Sequence, residues 1–144
     1  FVTLLDVLEH QEDDRAFMQR LTARTVPGTV VILTVPALPR LWSSWDEALG
    51  HFRRYEKSTL LDRIDGLPLR VDEVSYLFPE MVPLGAVRAR RRVPDPSTLG
   101  DEAEFPDLPG VVNDVLYGLG TVSLNLRTHW KTGTSLFLSA TRLP

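Results

Sequence analysis

The sequence predicts an α/β fold, a mostly parallel sheet layered with helices, and three observations carry that prediction. Two short β-rich runs, residues 1–6 and 29–35, flank one amphipathic stretch with brief connections, the pattern of a strand–helix–strand crossover. A third run, residues 69–77, alternates after a further helical stretch. A short apolar run between Gly133 and Pro144 closes the chain.

Each element follows from its own residues. Phe1-Val2-Thr3-Leu4-Leu5-Asp6 is apolar and ends in an acid, as a buried parallel strand does. Beyond the polar stretch Gln11 to Arg15, the residues Phe17, Met18, Leu21 and, less regularly, Val26 trace one face of a helix, with Asp13 and Asp14 suited to its N-terminal dipole. Pro27-Gly28 makes a turn, and the almost continuous β-branched run over residues 29–35, closed by Pro36, is a second central strand. A crossover of this kind makes the two strands parallel neighbours and sets their C-terminal ends on one edge of the sheet, where open α/β sheets bind ligands. Residues 57–64 fit a helix that stops before Gly66, and residues 69–77 a third strand. A helix with a basic end is expected over 78–92, and a mobile loop around Pro94, Pro96, Pro106 and Pro109. A helix over 111–126 is weakened by Gly118 and Gly120, about 1 kcal/mol each relative to alanine. Residues 134–141 form the last strand.

Composition narrows the function. The 144 residues are 43% hydrophobic and 24% charged, the profile of one soluble globular domain. A formal charge of -3 supplies no basic field for nucleic acid, so the expected partner is a small molecule or another protein. Without cysteine there is no disulfide, thiolate metal site or cysteine nucleophile, a usage that suits a reducing compartment. No apolar run approaches the roughly 18 residues of a membrane span, and no basic region precedes the first apolar stretch, so a cytoplasmic location is expected. The start at Phe1, inside an apolar run, suggests a cut sequence.

Several segments carry a resemblance. Leu5-Asp6-Val7-Leu8-Glu9-His10, followed by Glu12-Asp13-Asp14, resembles the fourth-strand signature of class I S-adenosylmethionine-dependent methyltransferases (type 11/12/23-like), and Val26-Pro27-Gly28-Thr29 their turn into the fifth strand. Val35-Pro36-Ala37, leading through Leu41-Trp42-Ser43-Ser44-Trp45-Asp46 to Gly50-His51-Phe52-Arg53-Arg54-Tyr55, is similar to one subgroup, as is the ending Gly133-Thr134-Ser135-Leu136. The resemblance is thinnest between Arg92 and Arg127. It implies the C-terminal portion of a single methyltransferase domain: a core over residues 1–77, a helical insertion and loop over 78–132, and a last strand over 133–144. The implied sheet is partial and Rossmann-like, family strands 4-5-7-6, with the last strand antiparallel between the second and third and the N-terminal strands missing. The implied cofactor is S-adenosyl-L-methionine and the implied partner a small-molecule methyl acceptor. The family's glycine-rich loop and the acid ending its second strand have no counterpart here, so a chain inactive by itself is expected. The alternative is a non-catalytic methyltransferase-like fragment that self-associates or binds a protein through its open sheet edge.

The candidate residues cluster in those segments. Asp6, Val7 and Leu8 are expected beside the cofactor, although Asp6 could instead cap a helix and the two apolar residues could be core. His10 and His51 are candidate general bases, since an imidazole titrates near pH 6.5, and Tyr55 is either a catalytic hydroxyl or a core residue with its hydroxyl satisfied. Arg53 and Arg54 could clamp an anionic acceptor or pin the loop by pairing with Asp46 and Glu47. Trp45 could wall a flat substrate, with Trp42 inside. Asp6, Glu9 and His10 would suit a hard or borderline ion, and a similar run holds a divalent metal in some quinone-biosynthesis O-methyltransferases. It is also common in relatives without metal, and neighbours on one turn cannot all face one point, so no metal is expected. The run Arg88-Ala89-Arg90-Arg91-Arg92 is expected to be a solvated helix end.

Overall fold

A computed structural model describes residues 1–90 and 109–144. Arg91, Arg92 and the expected loop residues Pro94, Pro96 and Pro106 lie outside the described residues.

Four strands form one mixed sheet: β1 (Val2–Leu5), β2 (Val30–Pro36), β3 (Leu69–Leu77) and β4 (Ser135–Arg142), in the spatial order β1-β2-β4-β3. β1 runs parallel to β2, with Val2 beside Val31 and Leu5 beside Thr34. β4 is antiparallel to both β2 and β3, so β3 points the same way as β1 and β2. The helices are α1 (Asp14–Arg24), α2 (Ser44–Ala48), α3 (Lys57–Ile64), α4 (Val82–Arg90) and α5 (Gly110–Asn125), with short 3-10 turns between several elements. A mixed α/β sheet with flanking helices thus agrees with the class read from the sequence.

The pairing follows from the alternation of side chains. Val31, Leu33 and Val35 are fully buried along β2, and their cross-strand partners Ala140, Leu138 and Leu136 are fully buried along β4. One face of the two central strands is therefore a continuous apolar surface, stabilised by about 1.5–3 kcal/mol per large side chain withdrawn from water. Met18 from α1 and Leu60 and Ile64 from α3 belong to the core cluster that includes these strands. α1 begins where Asp13 accepts a hydrogen bond from the Ala16 N–H at 2.8 Å. Its buried face carries Met18 and Thr22, and the Thr22 hydroxyl is satisfied by the Met18 carbonyl at 2.9 Å. Val26, expected on that face, lies beyond the helix and is 71% exposed.

Two departures concern the second half. α4 covers only part of the 78–92 helix, because Phe78 adopts φ 56° and a 3-10 turn at Pro79–Met81 intervenes. α5 forms where expected but buries only Ser123, while Val111, Val115, Tyr117 and Val122 are exposed.

The parallel strands all terminate on one edge of the sheet, and each is followed closely by a non-glycine residue with a left-handed backbone: Asp6 (φ 51°), Leu38 (φ 59°) and Phe78 (φ 56°). Such a conformation costs about 1–2 kcal/mol for an L-residue, least where a short polar side chain can bond locally. At the same edge Gly133 presses on β3, since a Cβ there would lie 2.1 Å from the Leu77 carbonyl oxygen.

Candidate functional site

The edge where β1, β2 and β3 end opens into a cleft of about 540 Å³. Asp6, Pro36 and Ser135 stand at strand ends, and Leu41, Leu49, Met81 and Leu84 supply apolar wall. Glu9, Trp45, Asp46, His51, Arg54 and Arg88 supply the polar side. Asp6 is held by its own backbone. Its N–H donates to the Thr34 carbonyl at 3.1 Å, and the Thr34 hydroxyl donates to its carboxylate at 3.3 Å.

Two sequence-distant segments, residues 6–14 and 50–55, are joined by hydrogen bonds. The Phe52 N–H donates to the Glu9 carbonyl at 2.8 Å, and Arg53 donates to the Glu12 carbonyl at 2.7 Å. Arg53 also pairs with the buried Asp14 carboxylate at 2.7 Å. The Tyr55 hydroxyl donates to the same carboxylate at 2.9 Å and approaches the Leu8 carbonyl at 3.3 Å. An isolated parallel bridge between Ala37 and Tyr55 ties the second segment to the end of β2.

Asp46 organises the next layer. Its carboxylate accepts from the Ser43 N–H at 2.9 Å, the Ser43 hydroxyl at 3.1 Å and the Arg54 Nε–H at 2.7 Å, and lies 3.0 Å from His51 Nδ1. Burial pushes this carboxyl up, but the Arg54 hydrogen bond and charge, with His51 and the Ser43 amide, outweigh it and hold the group below its ordinary range. An ionised carboxylate only accepts, so the His51 nitrogen facing Asp46 is the one that carries a proton, and in the neutral ring Nε2 holds the free lone pair.

Glu9 is the opposite case. It is completely buried, and among the described residues neither carboxylate oxygen has a hydrogen-bond partner. Burial, with smaller contributions from the Asp6 and Asp46 charges, pushes its pKa up to about 7, against the pull of its own nearby backbone N–H, which falls short of hydrogen-bond geometry, and of the Arg54 charge. The rings of His10 and His51 meet edge to face beside it, with centroids 4.8 Å apart.

The structure therefore brings Asp6, His51, Trp45 and Arg54 to the cleft, with His10 against His51. Others are placed elsewhere. Leu8 is fully buried in the core and Val7 packs against that core, so the apolar reading of both describes their positions. Tyr55 is core: it is 1% exposed, and burial followed by the Asp14 hydrogen bond drives its hydroxyl strongly upward, away from any role in accepting a proton. Arg53 points to Asp14 and Glu12 instead of the cleft, while Arg54 pairs with Asp46, which pins the loop. Trp42 is half-buried and donates from its indole to Glu47 at 3.3 Å. Arg88, expected as part of a solvated helix end, is half-buried and lies over the Trp45 ring at 4.1 Å. Its place in the arginine run was the only signal for it. The left-handed Phe78 left no trace in the sequence.

No family model and no curated protein matches this chain. Among solved structures, it is similar to a chain from the complex between the Haloferax volcanii Trm112 methyltransferase activator and a candidate methyltransferase, at a TM-score of 0.52 and 11% identity. The match covers 99% of this chain and 53% of that one, so this chain spans about half its length. At that identity the likeness concerns the fold alone.

Proposed function

We propose that this chain is the acceptor-side half of a class I, S-adenosylmethionine-dependent methyltransferase domain, its sheet the 4-5-7-6 part of a Rossmann-like sheet. The observation that carries the reading is the meeting of the Asp6 to His10 segment with the Gly50 to Tyr55 segment at the sheet edge where ligands of open α/β sheets bind. When bound, the cofactor supplies an electrophilic methyl group on a sulfonium centre. The residues present fit one side of such a ligand: the exposed Asp6 carboxylate stands at the rim of an open cleft, and apolar wall faces it. His51, oriented by Asp46, offers Nε2 to take the proton of a hydroxyl or amine acceptor, and Trp45 with Arg88 bounds the acceptor's space. Holding donor and acceptor in line is the main demand of methyl transfer. The groups that would grip the cofactor's methionine and ribose are not in this sequence, so the chain by itself is expected to be inactive.

A second reading rests on β1, whose far edge pairs with no strand among the described residues. An open edge is a template for another strand, so a non-catalytic methyltransferase-like fragment could dimerise or bind a protein there. Calorimetric titration of S-adenosylhomocysteine into this chain, and into a longer chain that supplies the upstream strands, separates the two. Micromolar binding by the longer chain alone supports the methyltransferase reading, and binding by this chain as well would refute only its dependence on those strands. No binding by either leaves the interaction module.

A further inference from the structure

We propose that Arg88, set over Trp45, is an oxyanion subsite of the cleft, so that the ligand the cleft fits is an apolar molecule carrying one carboxylate or phosphate group. The proposal rests on the methyltransferase reading only in calling that ligand the acceptor. The Arg88 guanidinium lies 4.1 Å from the centroid of the Trp45 ring, and both side chains line the cleft. Among the described residues no hydrogen bond or ion pair engages this half-buried guanidinium, which carries five N–H donors. The ring holds the cation in place without supplying a conventional acceptor, and the planar fork suits bidentate binding of a carboxylate or phosphate.

The surrounding charges select the sign of the ligand. Asp46 is the carboxylate whose charge reaches Arg88, and it is already committed: it accepts from Arg54 Nε–H at 2.7 Å and from Ser43, and stands 3.0 Å from His51. Arg54 and Arg88 therefore share one ionised carboxylate. Burial, with the Arg54 charge and against that of Asp46, pulls the Arg88 guanidinium below its ordinary range, as expected of a cation short of counter-charge. Asp6 stands exposed at the end of β1, bonded to Thr34, and makes no pair with Arg88. Arg53 and Arg54, the pair that the sequence offered for an anion, are each bound to an aspartate, which leaves the role to Arg88. The apolar part of the ligand follows from Leu41, Leu49, Met81 and Leu84, which wall the same cleft. A small hydrated anion uses none of that wall, and a neutral apolar molecule leaves Arg88 without a counter-charge.

The test is calorimetric titration of phenyl phosphate into the chain, with inorganic phosphate and benzyl alcohol as controls for its two halves, repeated on Arg88→Gln and Arg88→Lys. Phenyl phosphate should bind more tightly than either control by about 10-fold or more, and Arg88→Gln should lose about 10-fold or more of that affinity. Arg88→Lys, which keeps the charge without the fork, should fall between. Benzoate, run alongside, separates the two oxyanions, and the tighter ligand names the group preferred. Because no hydrogen bond anchors Arg88, Arg88→Gln should melt within about 3 °C of the parent, so that lost affinity is not lost folding; if it folds poorly, Arg88→Lys decides. Binding of phenyl phosphate and benzoate no tighter than that of the controls, or unchanged affinity in Arg88→Gln, would overturn the subsite. Either failure leaves the methyltransferase reading with a neutral acceptor, and that reading is judged separately by S-adenosylhomocysteine.

Discussion

Replacing Glu9 with glutamine should remove a pH dependence of stability that this one side chain imposes. Burial without a partner raises its pKa from 4.5 to about 7, a shift of 7 − 4.5 = 2.5. At about 1.36 kcal/mol per unit this amounts to about 3 kcal/mol. The sign follows from proton binding. Between pH 4.5 and 7 the folded chain holds a proton on Glu9 that the unfolded chain has released, so stability is full below 4.5 and falls as pH rises through 7. Asp46, whose carboxyl is held low, acts only at the acid end and leaves this window clear. In a chelating buffer, urea unfolding followed by circular dichroism should show the parent chain losing about 3 kcal/mol more than Glu9→Gln between pH 4.5 and 8. For 144 residues that is about 10 °C in melting temperature. Parallel pH profiles for the two proteins would refute the assignment of Glu9 as an unpartnered, buried acid.

Two further substitutions probe the supporting structure. Gly133→Ala drives a methyl to 2.1 Å from the Leu77 carbonyl oxygen, a backbone atom that cannot rotate away, and should destabilise the chain by about 3 kcal/mol; a melting temperature within 2 °C or so of the parent would contradict the close approach. Tyr55→Phe deletes a buried donor to Asp14, whose carboxylate keeps Arg53, and should cost about 1–2 kcal/mol in urea unfolding, whereas an unchanged unfolding midpoint would contradict the buried hydrogen bond.

Much of this architecture is legible in the residues alone. The β-branched run over residues 29–35 becomes β2, whose alternate side chains are buried on the side of the sheet that must stay dry, and the run over 69–77 becomes β3, although its burial does not alternate: Arg70, Val71 and Asp72 are exposed in succession beside a register shift, and Ser75, Tyr76 and Leu77 are all buried. The helix over 57–64 is legible for the same kind of reason: Leu60 and Ile64, four apart, fall on one buried face. The cleft is less so. The sequence singled out His51, Arg54 and Trp45, but it assigned Tyr55 and Arg53 the same status, and only the folded packing separates the two groups, through the burial of Tyr55 and the turning of Arg53 to Asp14 and Glu12. Whether an arginine faces a ligand or a buried aspartate depends on Asp14, 39 positions away, and no spacing rule reaches that far.

What the sequence by itself determined, then, is the four strands, the helices α1, α3 and α5 and the two polar segments, but not α2 or the start of α4, because periodicity, turn residues and β-branching act over a few residues at a time. Tertiary structure alone decided three things. Periodicity names no neighbour for the last strand, whose place only the family resemblance implied, and β4 sits between β2 and β3 through pairings such as Leu33 with Leu138 and Val35 with Leu136, all buried. The left-handed backbones after β1, β2 and β3 depend on the surrounding packing, which holds Leu38 and Phe78 where local preference would not. The grouping of Glu9 and His10 with His51 depends on one long-range backbone hydrogen bond and on a carboxylate left without a partner, and both come into being only when the chain has folded.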